Sequence, residues 1–268
     1  MTSGASPTST LRVFFVGGLI SYRALFNWIR PSIYIPTLLG GPLFQILFFT
    51  YLGRYATNEP DSFFVVGNAI QVSALSAVFG MAMAVANERW FGTLAPILAS
   101  PANRAAIFLG RAVPVLANSV FISAFGFLVG VVLIDFRPGR DAWPALAVVV
   151  IVSSAGSTAL GMVIGSIGLR AKDFFFAANM TNFLLLLLCG VNVPIAVLPE
   201  WMQTISRCLP LTHGIMAGRE IAGGASLGDV SGLVWTEAGI AAAYAAAAYA
   251  VFRILEHESR RSAVLDSL

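Results

Sequence analysis

The residues of this sequence that could contact a bound molecule are mostly neutral amides, and they stand inside apolar stretches. An amide side chain donates and accepts hydrogen bonds without carrying a charge. It can therefore bond to a neighbouring helix, or it can line the path of an amphipathic molecule. The sequence leaves both uses open. The candidates for such a path are Asn68, Gln71, Asn118, Phe175, Asn179 and Asn182.

The sequence lacks the sets of residues that catalysis and metal binding need. His213 and His257 are the two histidines. The apolar run Val230–Phe252 separates them and is predicted to cross a membrane, so they lie on opposite faces and form no metal cluster and no Ser–His pair. The one lysine, Lys172, stands in RAKDF, whereas a nucleotide-binding loop needs G-x-x-x-x-G-K-[ST]. Cys189 and Cys208 are too few for a disulfide framework. The sequence predicts no catalytic residue, no metal and no cofactor in this chain.

The composition places the chain in a membrane. Hydrophobic residues make up 57% of the 268 residues and charged residues only 11%, whereas soluble domains carry about 25% charged residues. A helix that crosses a bilayer needs about 20 mostly apolar residues. Five charge-free runs reach that length and a sixth contains only Glu237: Pro31–Gly53, Ser62–Asn87, Ala112–Ile134, Ala142–Leu169, Phe174–Pro199 and Val230–Phe252. The fold class predicted is all-α integral membrane, with six transmembrane helices.

The positive charges predict the orientation of these spans. Most of the basic residues fall in the segments on one side, and that side is cytoplasmic by the positive-inside rule. Both termini are then cytoplasmic. The net charge of +3 is spread over short loops and forms no basic face, so nucleic acid is not an expected partner. Glu237 falls near the outer end of the last span, where we expect its carboxylate to reach water.

The ends of the chain differ from the membrane domain in composition. The stretch that carries Arg12, Arg23 and Arg30 alternates these charges with apolar and aromatic residues, which favours a helix lying at the cytoplasmic surface. The alternative is that this stretch extends the first span. The predicted organisation is a disordered tail (1–10), an interfacial helix (11–30), the six-span domain (31–253) and a cytoplasmic tail (254–268).

Two segments between the spans have patterns of their own. The loop of residues 87–111 has apolar residues at helical spacing, so one of its faces can dock on a partner. The segment of residues 190–220 starts inside the fifth apolar run. We expect it to break at Pro194 and Pro199 and to continue amphipathically to Pro210.

Both segments resemble the type-2 ABC transporter permease family, which exports polysaccharide, nodulation factor and drugs. The string E-R-x-x-G-T-L is similar to the start of the family's coupling helix, and its residues here are Glu88, Arg89, Gly92, Thr93 and Leu94. The string P-L-x-H-x-x-x-x-x-R follows Pro199 at the family's spacing, and its residues are Pro210, Leu211, His213 and Arg219. One departure is Ala95-Pro96, where the family often has an acidic residue.

The resemblance implies further elements of the fold: an N-terminal elbow helix, a cytoplasmic coupling helix and a re-entrant outer segment before the last span. The residues implied in coupling to an ATPase are Glu88, Arg89, Trp90, Phe91, Gly92, Thr93, Leu94 and Pro101. Those implied in an outer gate are Pro194, Pro199, Pro210, His213 and Arg219. For His213 we expect a tether of the outer segment rather than a pH sensor.

The function implied by the resemblance is that of a permease subunit in an ATP-driven exporter of the bacterial inner membrane. Two ATPase subunits would bind ATP-Mg, and a second permease chain would complete a homodimer. The substrate expected is an amphipathic drug, which would make the chain a drug-efflux and antibiotic-resistance protein. A polysaccharide or lipid-linked glycan is the alternative substrate. Outside the family, a stand-alone channel, a secondary carrier, a membrane enzyme or a scaffold stays open.

Overall fold

All the regular secondary structure in the described part of the chain is helical. A computed structural model describes residues 35–90, 104–168 and 174–265. It contains a π-helical turn at Ile35–Leu39, a 3-10 turn at Ile195–Val197 and eight α-helices. The helices are α1 (Gly40–Ala56), α2 (Asp61–Trp90), α3 (Arg104–Leu133), α4 (Ala142–Gly168), α5 (Phe174–Leu188), α6 (Glu200–Cys208), α7 (Thr212–Ala222) and α8 (Ser231–Leu265).

Three of these helices are long and apolar enough to cross a bilayer. Their apolar stretches are Asp61–Ala84 in α2, Leu109–Leu133 in α3 and Ala142–Ser166 in α4, each 24 or 25 residues long. At about 1.5 Å per residue, such a stretch exceeds the roughly 30 Å hydrocarbon core. The integral membrane helical fold is therefore confirmed. The other predicted spans correspond to α1 with 17 residues, α5 with 15 and α8 with 35.

Helix α2 is the centre of the bundle. All residues from Phe64 to Ala74 are buried, which is three full turns without an exposed face. The helices α1, α3, α4, α5 and α7 all pack against it. Because α2 is surrounded on every side over these turns, apolar residues occur all round it and its sequence shows no amphipathic stripe.

Small residues allow the closest approaches in the bundle, as the spacings Gly126/Gly130 and Gly161/Gly165 suggest. A Cβ on Gly130 would lie 2.4 Å from Val65 Cγ1, and a Cβ on Gly161 would lie 2.8 Å from Val78 Cα. Such distances are shorter than real Cβ contacts, so these positions of α3 and α4 have no room for a larger side chain.

The break in the fifth apolar run lies earlier than the sequence suggested. Helix α5 ends at Leu188, and Gly190 adopts a φ of +73°, whereas the expected break was at Pro194. A positive φ is accessible to glycine without steric cost, so Gly190 rather than proline turns the chain. Pro194 and Pro199 instead precede the 3-10 turn and α6.

Two predicted elements fall on parts of the chain outside the described residues. The interfacial helix of residues 11–30, with Arg12, Arg23 and Arg30, is one. The other is most of the coupling segment, including Phe91, Gly92, Thr93, Leu94 and Pro101. The backbone of α2 runs to Trp90, so Glu88 and Arg89 lie in the last turn of that helix.

The packing of α4 on α2 predicts that Gly161→Ala lowers the thermal stability of the protein. The added methyl group would meet the α2 backbone at Val78, so one helix must shift. Overpacking of this kind costs about 1–3 kcal/mol, and a Tm decrease of roughly 2–10 °C in detergent is expected. The control is Gly239→Ala in α8, where a Cβ would have nothing within 4 Å. Equal melting temperatures for the two variants would contradict this account of the α2–α4 contact.

Candidate functional site

A network of amide side chains joins three helices of the bundle. Gln45 of α1 donates through Nε2 to Asn68 Oδ1 at 3.0 Å and to Gln71 Oε1 at 2.7 Å, both on α2. Gln71 Nε2 donates to Asn182 Oδ1 of α5 at 2.8 Å. Asn68 Nδ2 donates to Asn192 Oδ1, beyond α5, at 2.7 Å. The amide network therefore holds α1, α2 and α5 in one register.

Burial divides the amide network into an interior and an edge. Asn68 and Gln71 are fully buried, whereas Gln45, Asn182 and Asn192 are half-buried. Every polar atom placed in apolar surroundings needs a partner, and neutral amides supply one at low cost. Cross-helix hydrogen bonds in membranes contribute about 0.6 kcal/mol each on average. Asn68 and Gln71 thus hold helices together, and only the edge residues could meet a ligand.

The remaining candidate path residues lie elsewhere. Asn118 of α3 donates to Ser76 Oγ of α2 at 2.8 Å. Asn179 of α5 is exposed and donates to the Phe175 carbonyl of its own helix at 2.9 Å, and Phe175 is exposed as well. The structure thus brings Asn68, Gln71 and Asn182 together but separates Asn118 from them. It leaves Phe175 and Asn179 on an open face of α5.

Arg219 ties α7 to two other parts of the bundle. Its Nη2 donates to the Val191 carbonyl at 2.8 Å and to the Phe63 carbonyl at 3.2 Å. The guanidinium carbon also lies 3.3 Å from the centroid of the Phe63 ring, a cation–π contact. Gly67 leaves room for this arrangement, since a Cβ there would lie 2.9 Å from Arg219 Nη2. Burial lowers the pKa of Arg219 to about 9.

A buried carboxylate caps the start of α7. Glu237 of α8 is 1% exposed, and its Oε1 accepts the Leu211 N–H at 2.6 Å while Oε2 accepts the Gly214 N–H at 3.2 Å. The first N–H groups of a helix have no intrahelical acceptor, and negative charge is favourable there. Glu237 was expected to reach water, and this was wrong. The start of α7 folds back over the carboxyl group.

The residue at the start of α7 is held in an unusual conformation. Leu211 has φ +113° and ψ −35°, and its side chain is fully buried. A non-glycine residue at positive φ costs about 1–3 kcal/mol and persists only where its surroundings enforce it. The Glu237 hydrogen bond and the burial of the side chain provide that enforcement. Pro210, the preceding residue, packs against Gly156 of α4, where a Cβ would lie 3.0 Å from Pro210 Cβ.

His213 lies next to the Glu237 carboxylate without pairing with it closely. The distance from His213 Nδ1 to Glu237 Oε2 is 4.0 Å, and among the described residues Nδ1 has no hydrogen-bond partner. Burial, and secondarily the positive charge of Arg207, lower the pKa of His213 below its ordinary value. The imidazole is therefore neutral near pH 7.

Sequence reasoning missed two of these positions and the role of a third. Gln45 and Asn192 each stand alone between apolar residues, and a search for every amide within the apolar runs would have found them. The capping role of Glu237 depends on α7 meeting α8, which no local pattern reveals. No group of three or more metal-ligating side chains occurs among the described residues.

The contacts of Arg219 predict that Arg219→Lys destabilises the protein. A lysine ammonium cannot lie flat on the Phe63 ring and reach two carbonyls at once, because it lacks the planar fork of arginine. Hydrogen bonds from a charged group contribute about 1.5–3 kcal/mol, so Tm should fall by several degrees. Arg137→Lys is the matched control, since that side chain is 80% exposed. An unchanged Tm for Arg219→Lys would show that these contacts are dispensable.

Comparisons with known proteins agree with the resemblance drawn from the two motifs. The family described as ABC-2 type transporter matches residues 18–222. A probable multidrug ABC transporter permease, YbhR of Escherichia coli K12, is 26% identical over 201 residues. Its counterpart in Escherichia coli O157:H7 matches to the same extent. Each alignment covers 74% of this chain and 54% of the relative, so the chain spans about half the length of these relatives.

The family match extends over most of the chain and includes the apolar helices α1 to α5, the amide network and the α7 contacts of Arg219. Permeases of this kind are multi-pass membrane subunits that lack an ATPase domain, and they generally pair with an ABC ATPase subunit. The chain belongs to the ABC-2 type transporter family as a membrane permease subunit.

Proposed function

We propose that the chain is the permease subunit of an ATP-driven exporter that moves an amphipathic substrate out of the cytoplasm or the inner leaflet. The observation that carries this proposal is the family match over residues 18–222, on a chain whose described part is an apolar helical bundle. The name of the relative, a probable multidrug permease, supports a drug-like substrate. The permease would act in a bacterial inner membrane and contribute to antibiotic efflux.

Six crossings with both termini in the cytoplasm are part of the proposal. The helices α1, α5 and α8 would cross in addition to α2, α3 and α4. This arrangement puts the short helices α6 and α7 on the outer side, between the fifth and sixth spans, as a re-entrant gate. It is supported by the excess of basic residues in the segments that become cytoplasmic.

Energy would enter at the cytoplasmic end of α2. Helix α2 ends at Trp90, and the coupling residues of the family motif, from Glu88 to Leu94, follow from its last turn onward. Because residues Phe64 to Ala74 of this helix are buried on all sides, a displacement at its end would be transmitted into the bundle. Two copies of a separate ATPase, each binding ATP-Mg, would dock here and rock the permease.

Two exposed apolar stripes lie on α1 and α5, the helices that carry Gln45 and Asn182 of the amide network. On α1 the stripe, at helical spacing, consists of Phe44, Phe48, Tyr51 and Tyr55. On α5 a stripe of the same spacing consists of Phe176, Met180, Phe183 and Leu187. Gln45 and Asn182 stand directly beside Phe44 and Phe183 in the sequence. Exposed apolar faces on helices that also carry half-buried amides suit an amphipathic substrate.

A second permease chain would complete this path. The stripes on α1 and α5 are exposed on a single chain, and Phe44, Phe48 and Phe183 are each about 60–70% exposed. Pairing of two copies through these faces would enclose a route between them that is apolar with a few neutral polar groups. A homodimer is the simplest such assembly.

The coupling proposal predicts that Trp90→Ala and Leu94→Ala reduce the stimulation of the ATPase. The chain would be purified with the ATPase encoded beside it, and ATP hydrolysis would be measured in lipid nanodiscs. Truncating an aromatic anchor at an interface costs about 2 kcal/mol or more, roughly 30-fold in affinity. Trp235→Ala is the matched control, because Trp235 is 76% exposed near the opposite end of the bundle.

The outcome that would overturn the proposed function is equally specific. A chain that purifies alone, binds no ATPase and still moves solute across vesicles would be a channel or a carrier. Normal hydrolysis and transport with Trp90→Ala and Leu94→Ala combined would leave the permease role intact but move the coupling site elsewhere.

The path proposal predicts that Phe183→Ala raises the KM for transport of an amphipathic drug. An aromatic contact contributes about 0.5–1.5 kcal/mol, so a several-fold increase is expected with little change in Tm. Phe121→Ala on α3 is the matched control, since Phe121 is 53% exposed and Phe183 is 59% exposed. Equal KM values for the two variants would place the path away from the α5 stripe.

A further inference from the structure

Glu237 carries the one carboxyl group among the described residues that is almost completely buried, and its hydrogen bonds are made with backbone N–H groups. It accepts hydrogen bonds from the backbone N–H groups of Leu211 and Gly214. Within the described parts of the chain, the only basic side chain within 4.0 Å is His213. Since His213 is neutral near pH 7, the main polar partners of the Glu237 carboxyl group are the N–H groups at the start of α7.

This arrangement makes the carboxylate and α7 dependent on each other. A buried carboxylate without partners is very unfavourable, and so are the free N–H groups at a buried helix start. Displacing α7 from α8 would therefore leave both groups without partners at once. Such a contact favours two discrete positions, one closed and one in which water or another donor replaces the lost partners, over a gradual movement.

The closed position also stores a local conformational strain. Leu211, whose N–H makes the 2.6 Å bond to Glu237, has φ +113°. A leucine adopts this conformation only when its surroundings enforce it. When the carboxylate releases the N–H, the backbone at residues 210 and 211 can relax, and α7 can turn about this point.

We propose that Glu237 is a positioning residue that latches α7 against α8, and that its release is what allows the segment of α6 and α7 to open. The inference deepens the proposed function, because it rests on the placement of this segment at the exit of the transport path. The latch itself is a property of one chain and can be tested without the ATPase or a substrate.

The chain carries a native reporter for the release of this latch. Cys189 is fully buried, and its Sγ lies 3.9 Å from the Pro210 carbonyl, next to Leu211. The other cysteine, Cys208, is exposed and can be removed by Cys208→Ser. In that background, the labelling rate of Cys189 with a water-soluble maleimide measures how often the backbone at Pro210 and Leu211 lifts away.

The decisive variant is Glu237→Gln, studied in lipid nanodiscs in the Cys208→Ser background. Glutamine keeps one acceptor oxygen, but it replaces the other with an NH₂ group that cannot accept the second N–H. The labelling rate of Cys189 should rise at least about tenfold, a difference of roughly 1.4 kcal/mol. Glu220→Gln, which neutralises an exposed carboxylate of α7 itself, should leave the rate unchanged.

A second reporter separates local opening from general loosening. Val129→Cys replaces a buried residue of α3, in a background without Cys189 and Cys208. If Glu237 acts as a latch, Glu237→Gln leaves labelling at this position slow. Should Glu237→Gln fail to fold, Glu237→Asp takes its place. The aspartate side chain is shorter by one methylene, so its carboxylate reaches the N–H groups of α7 less well. A smaller increase in the labelling rate of Cys189 is then expected.

Two results would overturn the latch. One is slow, unchanged labelling of Cys189 in the folded Glu237→Gln or Glu237→Asp protein. The other is an equal increase at Cys189 and at the α3 reporter, which would make Glu237 a general structural contact. Failure of the proposed export function is distinguishable, because it appears in the transport and ATPase assays and leaves the labelling result untouched.

Discussion

The first N–H groups of α7 have to find acceptors inside the bundle, and the carboxylate of Glu237 supplies them. A buried helix start without a cap would leave several donors unsatisfied, at a cost of about 1–3 kcal/mol each. With the cap in place, α7 can pack closely through its glycine face. A Cβ on Gly214 would collide with Ser153 of α4, and a Cβ on Gly218 would lie 2.8 Å from Ile70 Cδ1 of α2. One side chain of α8 thus determines where α7 lies against two other helices.

The position of Arg219 follows from that of the cap. It lies in the last turn of α7, about 12 Å along the helix axis from Leu211 at 1.5 Å per residue. A negative group at the first turn and a positive group in the last turn both match the helix dipole. Arg219 also bonds the carbonyls of Phe63 and Val191, so α7 is fixed to the start of α2 and to the turn after α5. A displacement of α2 would consequently reach α7 through this side chain.

The parts of the fold that depend on local pattern could be predicted, and the parts that depend on tertiary register could not. The long charge-free runs predicted α2, α3 and α4 because a bilayer-crossing helix needs only length and apolarity. The motif with His213 and Arg219 falls on α7 and on the residues just before it. Arg219 and His213 of this motif contact partners far away in the sequence, which are Phe63 and Glu237 respectively. Glu237 was expected in water because a position along a span says nothing about a segment that folds back. The end of α5 was expected at Pro194, although the turn belongs to Gly190.

Charged side chains and neutral amide side chains lie in different parts of this bundle. The buried carboxyl group of Glu237 and the half-buried Arg219 act on α7, whereas α5 has no Asp, Glu, Lys or Arg and α1 has only Arg54 near its end. Neutral amides hold α1, α2 and α5 together, and α1 and α5 also carry the two exposed apolar stripes. A molecule that passes along such a face would meet shallow apolar contacts and a few weak hydrogen bonds, each worth about 0.6 kcal/mol in a membrane. Contacts this weak discriminate little between ligands and release them readily. A transport path needs that release, and the energy that sets its direction must then come from movement of the helices.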